Sequence, residues 1–323
     1  MVELIGAPFD LCGPYLGSRL GPSAVRLLGL EDSLRSLRME VKDGGDAFAP
    51  LGGSPSDYGE KLKHAVSAYS NLKARVGESL ANGNLPLVIG GDHSLAMGSI
   101  SGALQHFGSE SLAVLWIDAH MDLNTPSTSR SGNFHGMPLA ALCRFEAGDQ
   151  GEGDHPAGWW AWEQILRDVC PNPGLGLGRI GWIGLRDVDA GEIVNYQRLT
   201  ERQAYTMQDI DHDGIANILD KIDAWLLKSG ASKVWISFDV DSLDPNLAPG
   251  TGTKVRGGLT YREGHFLAEL LHEMLFKANK PYSLAGLDVV EVNPMSDQAG
   301  QTAIVANEWV ASFFGKTIMG VNG

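Results

Sequence analysis

Leu112-Ala-Val-Leu-Trp-Ile-Asp118-Ala-His120-Met-Asp122 joins an unbroken apolar run to two carboxylates spaced around an imidazole. A run this short, with no polar alternation, reads as a strand buried on both faces. Two more stretches repeat the design: Leu85-Pro-Leu-Val-Ile-Gly-Gly-Asp92-His93 and Val234-Trp-Ile-Ser-Phe-Asp239-Val-Asp241. In an open parallel sheet the carboxyl ends of the strands face the ligand crevice. Three strands that each deliver Asp or His to that edge describe a metal site assembled from distant parts of the chain.

Outward from these segments, strand-like and helix-like stretches alternate. Val2–Ala7, Leu85–Ile89, Leu112–Ile117, Arg179–Leu185, Val234–Phe238 and Leu284–Val290 read as strands, and Asp57–Ala81, Ile215–Leu227 and Tyr261–Phe276 as helices. Such alternation indicates βαβ units, hence an α/β fold with a parallel sheet and helices on both faces. The Asp- and His-bearing strands leave no place for a cut, so residues 1–323 are read as one domain. A Gly-, Pro- and acid-rich stretch, Glu146–Gly178, stands apart as a surface excursion around a short helix, Trp159–Cys170; its Trp159, Trp160 and Trp162 are expected to pin it to the core.

Composition narrows the function. The 323 residues are 43% hydrophobic and 20% charged, ordinary for a globular protein. No apolar run approaches the roughly 18 residues of a membrane span, and the N-terminus lacks the features of a secretory signal. The widely spaced Cys12, Cys143 and Cys170 show no zinc spacing, which favours a reducing compartment; a cytoplasmic protein is expected. A net charge of −14 argues against nucleic acid as a partner and favours a small cationic one.

The candidate ligands are His93, Asp118, His120, Asp122, Asp239 and Asp241. If strand geometry continued past Ile117, Asp118, His120 and Asp122 would share one side. Carboxylates with some imidazole and no thiolate suit hard or borderline divalent ions such as Mn²⁺. Six protein ligands are too many for one ion that must also hold a reactive water, but enough for two ions bridged by carboxylates. A lone Asp or His at a strand end is ordinarily a cap; recurrence at three strand ends is what points to a metal.

These segments resemble the three metal-binding signatures of the ureohydrolases, the arginase/agmatinase family: Gly90-Gly-Asp-His93-Ser94, Asp118-Ala-His120-Met-Asp122 and Ser237-Phe-Asp239-Val-Asp241. Ser131-Gly-Asn133-Phe-His135-Gly, Gly184-Leu-Arg-Asp-Val-Asp189, Gly257-Gly-Leu-Thr-Tyr-Arg262-Glu263 and Asp288-Val-Val-Glu291-Val-Asn-Pro294 also fit, in the same order. The resemblance implies a three-layer α/β/α domain with a central, mostly parallel eight-stranded sheet. It also implies two Mn²⁺ ions, one on His93 and Asp122, the other on His120 and Asp241, bridged by Asp118 and Asp239. Attack by a metal-bridging hydroxide on a guanidinium is the implied chemistry, with Glu291 orienting the cation and His135 shuttling a proton; Asp122 counts among the catalytic residues too. The loop Asn124–Asn133 resembles that of the family's arginine hydrolases. It implies L-arginine as substrate and L-ornithine and urea as products, with Asn124, Ser131 and Asn133 serving the α-carboxylate, Asp189 the α-amino group, and Thr253 at a further site position. Agmatine or another guanidino acid is the alternative substrate, and a non-catalytic metal-stabilised scaffold the alternative class. Arg262 and Glu263 match positions used in subunit contacts, implying a homo-oligomer, trimer or hexamer.

Other signals lead elsewhere. Gly176-Leu-Gly-Arg-Ile-Gly181 precedes a strand and so lacks the geometry of a dinucleotide cradle. Asp209-Ile-Asp-His-Asp213-Gly214 is read as the cap of the helix at Ile215, through Asp211 or Asp213, and not as a calcium loop. Arg130 is outside the family pattern; it is expected to point to solvent, with a supplementary part in carboxylate binding as the alternative.

Overall fold

The computed structural model describes residues 1–148, 156–277 and 279–321. Its core is an eight-stranded sheet: β1 (Val2–Ala7), β2 (Val41–Asp46), β3 (Leu85–Gly90), β4 (Leu112–Ile117), β5 (Ile180–Leu185), β6 (Gln203–Thr206), β7 (Lys233–Asp239) and β8 (Ser283–Val290). The spatial order is β2-β1-β3-β8-β7-β4-β5-β6, and every pair is parallel. The six strands read from sequence are all present. The two edge strands escaped that reading because neither carries an apolar run: β2 is Val-Lys-Asp-Gly-Gly-Asp and largely exposed, and β6 is only Gln-Ala-Tyr-Thr.

Period-two side-chain alternation splits each central strand between two cores. Leu112, Val114 and Trp116 pack with the helices Tyr58–Ala81 and Ala96–Phe107. Ala113, Leu115 and Ile117 pack on the other face with Ile215–Ser229, Tyr261–His272 and Gln301–Phe313. This is the α/β/α layering expected for strands buried on both faces.

Three local expectations need correction. The helix read over Tyr261–Phe276 is α-helical to His272 and continues as a π-helical turn, Glu273–Lys277. Neither Asp211 nor Asp213 caps the helix at Ile215: both lie in a preceding helix, Met207–Asp213, and the cap position is Gly214. Asp213 instead pairs with Lys221 and His212. Of the stretch 146–178, residues 149–155 lie outside the described residues. The remainder holds the helix Pro156–Gln164 and a π-helical turn, Ile165–Val169. Trp162 is fully buried and donates its indole N–H to Phe145 O (2.9 Å), whereas Trp160 is exposed. No helix among the described residues is long and apolar enough to cross a membrane.

Candidate metal centre and substrate cavity

Strand order does the first part of the assembly. β3, β8, β7, β4 and β5 are successive neighbours, so the segments after them, carrying His93, Glu291, Asp239 and Asp241, Asp118 to Asp122, and Asp189, emerge side by side. The second part is a turn used three times. Asp92 Oδ1 accepts the N–H of Ser94 (3.1 Å), Asp118 Oδ1 that of His120 (2.7 Å) and Asp239 Oδ1 that of Asp241 (2.7 Å). Each is an aspartate bonding its own backbone two residues on, a local structure that ends a strand and starts a turn. The i, i+2 spacing therefore comes from turns. β4 ends at Ile117, and Asp122 has φ +52°, so Asp118, His120 and Asp122 converge through a bend and not, as expected, along a continued strand.

The donor atoms form two groups. His93 Nδ1 lies 3.0 Å from Asp118 Oδ2, 3.1 Å from Asp122 Oδ2 and 3.1 Å from Asp239 Oδ2. His120 Nδ1 lies 3.3 Å from Asp118 Oδ1 and 3.2 Å from Asp241 Oδ2. Asp118 thus turns one oxygen to each imidazole. Asp239 brings Oδ2 to the first group, while its Oδ1 accepts the Asp241 N–H.

The arrangement fits divalent ions. His93 Nδ1 and Asp118 Oδ2 are buried and meet no partner in hydrogen-bond geometry, despite their close approach. Uncompensated burial of such groups is costly. Ligands bound at about 2.1 Å in octahedral geometry stand about 3.0 Å apart along each edge, close to the separations seen here. Without a cation, crowding also works against ionisation: Asp122 is pushed up to about 6, by burial first and then by Asp118.

Two residues that sequence reasoning assigned no role orient His93. Its Nε2 meets Ser237 Oγ at 2.8 Å, and its ring stacks on Trp116 with centroids 3.9 Å apart and planes 3° from parallel. With Nε2 taken by a hydroxyl, Nδ1 is left to face the carboxylates, the usual division of labour in a metal-bound imidazole.

Above this cluster is a cavity of about 210 Å³. His120, Asp122, Asn124, Ser131, Asn133, His135, Asp189, Asp239 and Thr253 all line it, together with Ser129, Arg130, Asp187 and Glu192. Thr253 Oγ donates to Asp241 Oδ2 (2.8 Å). Asp189 accepts Asn124 Nδ2 at 3.0 Å and starts the helix Ala190–Tyr196 with a capping box closed by Glu192. That Asp-x-x-Glu signature was readable in the sequence. Glu192 is pushed up to about 8, by burial first and then by Asp122. Asp187, which the sequence reading also passed over, stands 3.9 Å from His120 Nε2.

Glu291 sits behind the wall. Buried and at φ +64°, it accepts the His93 N–H through Oε1 (2.9 Å), and the same oxygen lies 3.1 Å from His135 Nδ1. Oε2 is turned toward Gly252, next to cavity-lining Thr253. Non-glycine residues at positive φ are strained, and two of them, Asp122 and Glu291, fall at this site.

Comparison with known proteins identifies the family. The family model for the arginase family matches residues 1–315. An arginase of Staphylococcus aureus (strain MSSA476) is 37% identical over 323 residues, covering 98% of each chain. Among solved structures, arginase from Bacillus caldovelox superposes with a TM-score of 0.84 at 36% identity, over 98% of this chain and 99% of that one. Entamoeba histolytica arginase, solved in complex with L-ornithine, gives 0.80 at 25% identity, over 97% and 98%. The chain belongs to the arginase family.

Proposed function

We propose that this protein hydrolyses the guanidinium group of L-arginine to give L-ornithine and urea, using two Mn²⁺ ions. The observation that carries the reading is the shared carboxylate: Asp118 presents Oδ2 to His93 and Oδ1 to His120, so two donor groups are joined by one side chain beneath a polar cavity. His93 and Asp122 would hold one ion and His120 and Asp241 the other, with Asp118 and Asp239 shared between them. Ions held there would supply the Lewis acidity that makes hydroxide available near neutral pH.

The chain's own residues account for the remainder. Carboxylates around the cavity favour a cationic substrate. Oε2 of Glu291 is the oxygen left to orient a guanidinium, its Oε1 being occupied. His135 is held by its backbone N–H to Cys12 O (3.2 Å) and by Nδ1 against Glu291. That leaves Nε2 as the ring nitrogen for delivering a proton to the departing amine. Asp189, with Asn124 fixed beside it, would receive an α-ammonium group.

Urea release by Mn²⁺-loaded protein tests the reading, with L-arginine and agmatine compared side by side and a chelator-treated control. Preference for arginine, abolished by chelator, is expected. Preference for agmatine would move the substrate to the decarboxylated analogue, and activity on neither would leave a metal-stabilised scaffold.

A further inference from the structure

Arg130 lines the cavity and is exposed. Among the described residues it is the one lysine or arginine in a lining that includes Asp122, Asp187, Asp189, Glu192 and Asp239. It makes no hydrogen bond, ion pair or ring contact with any described residue, although carboxylates share the cavity with it. Its backbone, by contrast, is braced. The Ser129 N–H donates to Thr125 O (3.0 Å) and the Gly132 N–H to Ser129 Oγ (3.1 Å). Tyr58 Oη donates to Gly132 O (2.7 Å). A fixed loop therefore holds an unpartnered guanidinium in a cavity that also presents the Asp187 and Asp189 carboxylates. An anionic wall alone repels any carboxylate-bearing ligand. A guanidinium reverses that locally, and its planar fork matches a carboxylate with two parallel hydrogen bonds.

Resting on the reading above, we infer that Arg130 is a specificity residue: it binds the α-carboxylate of the guanidino amino acid while Asp189 takes the α-ammonium group. The two ends of the zwitterion are then read by opposite charges in one cavity, and a decarboxylated amine loses the Arg130 contact. Arg130 is open to solvent, as expected, and lines the cavity as well.

Calorimetric titration of Mn²⁺-loaded protein separates the possibilities. The ligands are L-ornithine and 1,4-diaminobutane, which is ornithine without its carboxylate. Arg130→Ser is expected to weaken ornithine binding about tenfold, as loss of a hydrogen bond to a charged group does, and diaminobutane binding by less than about twofold. Arg130→Lys, which keeps charge but loses the fork, falls between. The ornithine preference of the wild type should shrink as salt rises and that of Arg130→Ser should not. Unchanged ornithine affinity in Arg130→Ser, or equal losses for both ligands, overturns the assignment. Urea release from L-arginine on the same samples judges the reaction separately. Wild-type protein that binds ornithine through Arg130 yet releases no urea sinks the hydrolysis and leaves the carboxylate contact standing. Wild-type protein that does not bind ornithine overturns the Arg130 assignment, and urea release alone then decides the hydrolysis.

Discussion

Glu291 holds Oε1 3.1 Å from His135 Nδ1. Burial by itself would lower the imidazole's affinity for a proton, but the hydrogen bond and charge of Glu291 outweigh it and raise His135 to about 8. The sign is that of a cation gaining a partner: the ring stays protonated up to about pH 8 in the metal-free protein. Glu291→Gln removes the charge while keeping an oxygen for the His93 N–H, so the His135 titration should move down, toward and below its ordinary 6.5. An NMR titration of the ring in metal-free protein reads this directly; an unmoved midpoint would remove Glu291 as the cause.

Because His135 lines the cavity without belonging to either donor group, its removal separates proton transfer from metal binding. His135→Asn is expected to lower kcat for urea release by about 10²–10⁴-fold, the usual worth of a positioned acid–base group. Bound metal, measured by elemental analysis, should not change. Wild-type turnover in this variant would take His135 out of the mechanism, and a parallel loss of metal would make its role structural.

Asp118 and Asp241 differ in a way that metal content can reveal. Asp118 meets both imidazoles, whereas Asp241 meets only His120. Asp118→Ala is expected to lose both ions and Asp241→Ala chiefly one, each with activity falling beyond the roughly 10–100-fold typical of outer partners. Equal stoichiometry in the two variants would refute the shared-carboxylate arrangement.

Legibility in the sequence followed burial. β4 is apolar throughout, and β7 is apart from Ser237 and its two ends, so their type, their parallel pairing and the crevice at their ends could be argued from sequence. β2 and β6 could not, since an edge strand is defined by its neighbour and not by its own side chains. The six candidate ligands were legible because Asp and His recur at three strand ends. Their spacing was misattributed to strand pleat because a strand and an aspartate turn both relate residue i to i+2. Glu291's placement behind His135, and the stacking of Trp116 on His93, depend on β8 and β4 lying near β3 in the sheet, which no local pattern encodes.

Two glycines should respond to the same substitution with opposite signs. At Gly91 an added Cβ would lie 1.6 Å from Phe9 O, at the point where Gly91 O also accepts the Glu291 N–H (2.8 Å). Backbone cannot give way cheaply there, so Gly91→Ala should cost about 3 kcal/mol. Gly77, inside the helix Tyr58–Ala81, has open space around its missing Cβ. Gly77→Ala should therefore stabilise by about 0.5–1 kcal/mol through helix propensity and chain entropy. Chemical denaturation of both variants checks the pair; a harmless Gly91→Ala would refute the close approach of the Phe9 loop to the metal-site turn.

Glu3 offers a stability test far from the cavity. It sits in β1 at 2% exposure, receiving Arg75 Nη2 (2.6 Å) on Oε1 and Asn84 Nδ2 (2.9 Å) on Oε2. Burial alone would raise its pKa, yet these partners bring it down from 4.5 to about 2. A carboxylate depressed on folding contributes stability in full above its unfolded value and loses it as pH falls through the folded one. The window is therefore about pH 4.5 down to about 2. Arg75→Ala leaves the buried carboxylate with only the more distant and exposed Lys42 Nζ (3.7 Å) as its cation, which costs up to about 3 kcal/mol near neutral pH. That penalty should shrink across the same window, because a protonated Glu3 no longer needs the guanidinium. Urea denaturation of wild type and Arg75→Ala at a series of pH values measures it. A penalty that stays constant down to pH 2 would assign the effect to lost packing of the arginine stem and not to its charge.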